Sequence, residues 1–241
     1  MALSSDAAMV LYYDIEGDTA DHDDWHTVEH LHERMSIPGF VRATRWIAAP
    51  GTPRYLIVYE VDSVEVGTSP HYLARLNAPT TWTSAMMPRF RGMVRGFCNV
   101  VATAGYGLGN AAVSLRFSVA GDGARLRNAM SGEVFPAMAA RRGVAAVHLL
   151  APVPPPPMTN EQALRGRDIP MSWLVLATGD DPGALDDAVR AHLDRPVLER
   201  LGAADVHAPA AYAFHYTATA LDVARSPAHA VPPSRIARKA S

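Results

Sequence analysis

Residues 38–61 read PGFVRATRWIAAPGTPRYLIVYEV. Two runs rich in β-branched and aromatic residues, Phe40 to Ala48 and Arg54 to Val61, flank Ala49-Pro50-Gly51-Thr52-Pro53, and that punctuation predicts a β-hairpin. Upstream, residues 9–15 (MVLYYDI) read as a strand, and residues 23–36 read as a helix capped by Asp23 or Asp24 and ended by Pro38-Gly39. Downstream, Ser69-Pro70 opens a second helix that runs to about Leu76, and Val94 to Thr103 reads as a strand. The order β-α-β-β-α-β is that of a split βαβ, ferredoxin-like unit.

After the glycine-rich linker at residues 105–110 the order starts again: a strand from Ala111 to Val119, a helix from Ala124 to Ala140, strands at 143–150 and 173–178, a helix at 182–201 and a strand at 211–219. The expected domains are residues 1–105 and 106–225, followed by a mobile tail at 226–241. The second unit's hairpin carries an insertion, Pro154 to Asp168, whose proline run predicts a stiff, extended surface excursion. Two such sheets each expose an apolar face opposite their helices, so the expected α+β architecture is a pseudo-dimeric α/β barrel.

With 49% hydrophobic residues in 241, the chain can bury a sizeable core. A net charge of -2 from scattered basic and acidic residues argues against nucleic acid as a partner. No apolar run reaches membrane-spanning length, no signal peptide is read, and the single Cys98 fits a reducing compartment, so a cytoplasmic protein is expected.

The chemistry concentrates in residues 24–34, DWHTVEHLHER, with three histidines and two glutamates in a short helical window. On a wheel of about 100° per residue, Val28, Leu31 and Met35 face the sheet. Trp25, Glu29 and His32 lie near that stripe, whereas His26, His30 and Glu33 turn toward solvent.

Trp25, Glu29-His30, Arg34, Pro38-Gly39-Phe40, Arg45, Pro53-Arg54-Tyr55-Leu56, Tyr59-Glu60, Ser69 and Tyr72 form a pattern covering about residues 9–103. By that pattern the first unit resembles the EthD-like branch of the dimeric α/β-barrel superfamily. It implies a small-molecule enzyme; the superfamily includes isomerases, cofactor-free monooxygenases, dehydratases, haem-degrading enzymes and cyclases. His26 and His32 depart from the family pattern, which often has an aromatic residue and a proline at those places.

Three readings of the window compete: a solvated helix face; an acid/base unit with His30 as proton carrier and Glu29 as its orienting partner, in which His26 and His32 hold the substrate or either replaces His30; and a metal site using His26 and His30 at i, i+4 with Glu33 or Glu29 as third ligand. The second is preferred, so no cofactor and no metal are expected. Trp25, Trp46, Tyr59, Tyr72 and Trp82 are candidate aromatic walls. Arg42 and Arg45 lie on opposite strand faces, and an inward arginine, Arg45, would hold substrate charge. The expected activity is a cofactor-independent lyase, isomerase or cyclase step on a small aromatic or apolar metabolite. A haem- or metal-dependent enzyme of the same superfamily and a non-catalytic ligand-binding protein are the alternatives. Pairing of exposed sheet edges would give a homodimer.

Overall fold

The computed structural model describes residue 3 and residues 5–48 and 52–226. The centre of the hairpin turn and nearly all of the expected tail lie outside the described residues. The first half of the chain runs β1 (Ala7–Ile15), α1 (Thr19–Trp25), a π-turn (His26–His30), α2 (Leu31–Met35), β2 (Phe40–Ala48), β3 (Tyr55–Val61), α3 (Pro70–Asn77), α4 (Thr81–Met86) and β4 (Phe90–Gly105). The second half runs β5 (Ala111–Val119), α5 (Ala124–Ala129), a π-turn (Met130–Val134), α6 (Phe135–Ala139), β6 (Val144–Pro152), α7 (Asn160–Arg165), β7 (Ile169–Pro170), β8 (Trp173–Gly179), α8 (Pro182–His192), α9 (Arg195–Arg200), β9 (Ala203–Ala204), β10 (Ala210–Thr219) and α10 (Ala220–Arg225).

Eight strands form a closed antiparallel ring in the order β1-β3-β2-β10-β5-β8-β6-β4, with β4 pairing back to β1. Closure within one chain leaves the ring no open edge, so pairing between chains is not required to complete it. Strand alternation sorts the core into three parts. Ala8, Val10 and Tyr12 of β1 meet Leu56, Val58, Leu174 and Leu176 inside the barrel. Met9, Leu11 and Tyr13 of β1 pack outward beneath the first-half helices, and Val113, Leu115 and Phe117 of β5 do the same beneath the second-half helices. Strands covered on both sides explain why segments such as YLIVYEV are buried throughout.

Several local expectations need correction. The first helix starts at Thr19, because Asp18 has the extended backbone a cap requires and accepts from the Ala20 amide at 2.9 Å. Asp23 instead binds His22 and Tyr55. Gly39 does end the segment after α2: its φ is +93°, and a Cβ there would lie 2.5 Å from Val66 Cγ2. The 182–201 helix is two helices, since Asp194 caps a fresh start before Pro196. The insertion has no helix or strand through its proline run. It returns as α7, held by a Thr159/Gln162 capping box, and docks on the first half through Asn160 and Asn77. No helix among the described residues is long and apolar enough to cross a membrane.

Candidate active site

A cavity lies between the outer face of β1 and β3 and the first-half helices. Met9, Leu11, Tyr13 and Tyr59 come from the strands; Trp25, His26, His30 and Arg34 come from the helical segment 19–35. Tyr72, Leu76, Met87, Phe90, Met93 and Arg95 complete the first-half lining, and Glu161 and Arg165 of α7 reach in from the insertion. The atom-free space is about 390 Å³, yet only about 20 Å³ of it admits the centre of a water molecule. Anything larger than a few atoms must displace side chains, and Met87 and Met93 have the flexibility to yield.

The π-turn decides which histidines face this cavity. The Leu31 amide donates to the His26 carbonyl five residues back, where an α-helix would use four. The extra residue delays the buried face, so His22, His26 and His30 form one column of stacked rings. Their centroids are 5.5 and 5.7 Å apart at interplanar angles of 22° and 29°. A uniform wheel turned His26 and His30 toward solvent; the structure buries them to 2% and 8% exposure. His32, placed by the wheel near the sheet, is half-buried beside Val28, Tyr216 and Val223, away from the cavity.

Arg45, buried on β2, sets the tautomer of His26. It donates from Nη1 to His26 Nδ1 at 3.0 Å, from Nη2 to Thr27 Oγ1 at 2.9 Å and from Nε to His215 Nδ1 at 2.8 Å. A guanidinium only donates, so His26 carries its proton on Nε2 and donates it to the Tyr59 hydroxyl oxygen 3.2 Å away. The Tyr59 proton is thereby free for the cavity. Burial, then the Arg45 charge, hold His26 well below the usual imidazole range.

The His30 ring packs against Trp25 with centroids 4.3 Å apart at an interplanar angle of 36°, and its Nδ1 is buried without a hydrogen-bond partner. Burial, followed by the charges of Arg34 and Arg165, keeps it well below the usual range and therefore neutral. Arg34 donates from Nη2 to both Glu161 carboxylate oxygens at 2.6 and 2.5 Å, while its Nη1 is buried and unpartnered. Burial opposes its charge, but Glu161 outweighs that and keeps Arg34 protonated. Arg165 pairs with Asp168 at 2.9 Å; Arg95 lies 3.5 Å from Asp168 and donates to the Tyr72 hydroxyl. Three arginines against two carboxylates leave this group with one net positive charge.

Other expected site residues stand elsewhere. Glu29 accepts from Thr80 Oγ1 at 2.5 Å and Thr83 Oγ1 at 3.2 Å, bracing the start of α4 instead of orienting His30. Trp46 faces the barrel interior and packs edge-on against Phe214, because β2 alternation carries it inward. Trp82 is half-buried on α4 and does not line the cavity. His22, Arg34, Glu161 and Arg165 were not among the candidates. The spacing of His22, His26 and His30 at i, i+4, i+8 was available as a signal; nothing local links Glu161 to Arg34, 127 positions away. Among the described residues, no three His, Cys, Asp or Glu side chains converge as a metal site.

No family model and no curated protein matches the chain. Solved structures do match. An anthrone oxidase-like protein superimposes with a TM-score of 0.61 at 12% identity, over 91% of this chain and 96% of its own. The fold shared with it is a closed eight-stranded antiparallel barrel covered by helices. A haem-binding protein from Thermus thermophilus matches with a TM-score of 0.53 at 8% identity, over 87% and 91%. A mutant chlorite dismutase from Candidatus Nitrospira defluvii, in complex with cyanide, matches at 0.51 and 10% identity, over 87% and 90%.

Proposed function

We propose that this chain is a cofactor-independent enzyme that moves a proton on a small, flat, largely apolar molecule, in a lyase, isomerase or cyclase type of step. The observation that carries this reading is a pair of unpartnered polar atoms, His30 Nδ1 and Arg34 Nη1, buried on residues that line one cavity. Buried polar groups left unmade cost about 1–3 kcal/mol each, and a bound oxygen supplies the missing partner. Neutral His30 accepts the proton; Arg34 holds the oxygen on which negative charge develops. Because Arg34 is one of the charges that depress His30, an oxyanion against Arg34 cancels part of that depression and makes His30 a stronger base once substrate is bound. Tyr59, fed by His26, donates a second hydrogen bond, and Trp25, Tyr13 and Phe90 give the cavity an aromatic lining. The likeness to an anthrone oxidase-like protein supports an aromatic substrate at the level of fold alone.

Haem is the second reading, favoured by the haem-binding neighbour. The residues fit it poorly, because a macrocycle held by His30 would have to displace the Trp25 ring 4.3 Å away. The chain further reads as two ferredoxin-like halves, 1–105 and 106–225, the first of EthD-like type. The repeated element order and the π-turn in the first helix of both halves support that reading.

The test is deuterium uptake from heavy water into a panel of small phenols and enolisable aromatic ketones, followed by proton NMR. Wild type should exchange at least one of them, and His30→Ala should slow that exchange by about 100-fold or more while circular dichroism shows the fold retained. Equal exchange by His30→Ala, or none by wild type across the panel, would overturn the assignment.

A further inference from the structure

Proton transfer by His30 makes no use of His22, although the His22 side chain is fully buried beside the cavity and tops the histidine column. Both of its ring nitrogens are engaged. Nδ1 lies 3.0 Å from Asp23 Oδ1, and Nε2 lies 3.1 Å from the Tyr13 hydroxyl oxygen. A carboxylate only accepts, so Nδ1 carries the proton and Nε2 accepts from the Tyr13 hydroxyl. Tyr13 lines the cavity, whereas the Asp23 side chain is 22% exposed. Between these ends the protein is sealed, with Tyr13 1% and His22 0% exposed. The line is therefore a continuous hydrogen-bonded connection from the cavity to solvent.

Asp23 is placed to hand a proton on to water. Burial works against its charge, yet hydrogen bonds from His22 and Tyr55 and the nearby Arg45 guanidinium together hold its carboxyl below the usual range. The Tyr55 hydroxyl is 2.9 Å from Asp23 Oδ1, and Arg45 Nε is 4.0 Å from the same atom. His22 is held below its ordinary value, by burial first, so it rests neutral with one nitrogen open to accept. Satisfying a buried imidazole requires no titratable partner at both ends; here one partner faces the cavity and the other faces water.

We propose that Tyr13, His22 and Asp23 form a proton relay that exchanges the proton removed from substrate with solvent. The proposal rests on the proton-transfer reading of the same cavity. As the proton that His30 has taken from the substrate passes within the cavity to the Tyr13 oxygen, the Tyr13 proton passes to His22 Nε2, the Nδ1 proton passes to Asp23 Oδ1, and His30 returns to its neutral form. Each bond to hydrogen formed matches one broken, no electron pair leaves the system, and the substrate remains as an anion opposite Arg34. Asp23 releases the proton to water. Run backwards, the same line reprotonates the substrate and restores the starting tautomer. In these roles His30 touches the substrate, Tyr13 takes the proton on within the cavity, and His22 and Asp23 are positioning residues acting through Tyr13.

Nitrogen-15 histidine NMR on the ligand-free protein at pH 7 tests the line directly. His22 should appear as the Nδ1-protonated neutral tautomer, its Nε2 resonance should move in Tyr13→Phe, and its Nδ1 resonance should move in Asp23→Asn. An Nε2-protonated tautomer or an imidazolium would overturn the relay. In the second arm, 4-nitrophenol is the probe, and its loss of the phenol proton after a pH jump is followed by phenolate absorbance. Asp23→Asn should slow that step by about tenfold or more at unchanged Kd, and Tyr13→Phe should slow it at least as much. Rates equal to wild type in both variants would also overturn the relay. Failure of 4-nitrophenol to bind even the wild type would count against the phenolic substrate reading of the cavity, and the tautomer result would then decide the relay alone.

Discussion

Replacing Glu161 by Gln takes the carboxylate away from Arg34, whose side chain is 3% exposed and whose Nη1 already lacks a partner. Uncompensated charge at such a site costs about 3–5 kcal/mol. The opposite replacement, Arg34→Met, is milder because Glu161 keeps Arg165 at 3.9 Å, so about 1–2 kcal/mol is expected. The two changes share one interaction and should not add: in a double-mutant cycle the coupling should be about 2 kcal/mol or more. Since α7 belongs to an insertion, part of the loss can appear as local undocking instead of global unfolding. The assay therefore pairs urea unfolding with limited proteolysis of residues 153–170. Global loss of about 3 kcal/mol would lower the melting temperature of a chain this size by about 6–12 °C. If Glu161→Gln shifts stability by less than about 0.5 kcal/mol and leaves proteolysis unchanged, the claim that this ion pair holds the insertion over the cavity is refuted.

Three further outcomes are expected. Arg34→Met removes the second-largest influence depressing His30, so the His30 titration followed by NMR should move upward; an unmoved titration would contradict the electrostatic coupling. His148 faces the barrel interior, and burial lowers its pKa from 6.5 to about 4. Below about pH 6.5 the unfolded chain binds a proton that the folded chain refuses, so stability is complete above that pH and should fall by about 3 kcal/mol as pH drops to 4. His22, His26 and His30 are shifted in the same direction and add to the loss; a urea midpoint constant between pH 7 and 4.5 would contradict it. Glu29→Gln should cost stability of about 1–2 kcal/mol through Thr80 and Thr83 while leaving deuterium exchange within about threefold of wild type. Exchange as impaired as in His30→Ala would restore Glu29 to the chemistry.

The order of strands and helices was legible because its determinants are local. Ser69-Pro70, Pro38-Gly39 and the period-2 run of β5 each act over a few residues, and each stands where the sequence places it. The histidine window was also legible as a place, since Trp25, His26 and His30 do line the cavity. Which histidine faces it was not legible, because a wheel assumes a constant turn angle and one i→i+5 hydrogen bond shifts the phase. Trp46 shows the same limit for strands: in a barrel covered by helices both faces are apolar, so alternation does not say which face meets the site.

What the chain encodes in short stretches is therefore the element order, the element ends and the neighbourhood of the chemistry. What only the assembled fold decides is the site's charge and depth. Glu161 and Arg165 come from an insertion in the second half, and Arg45, His215 and Asp23 meet across β2, β10 and α1. These contacts arise because the strands close into a ring and bring β10 beside β2, a long-range pairing that no local propensity specifies.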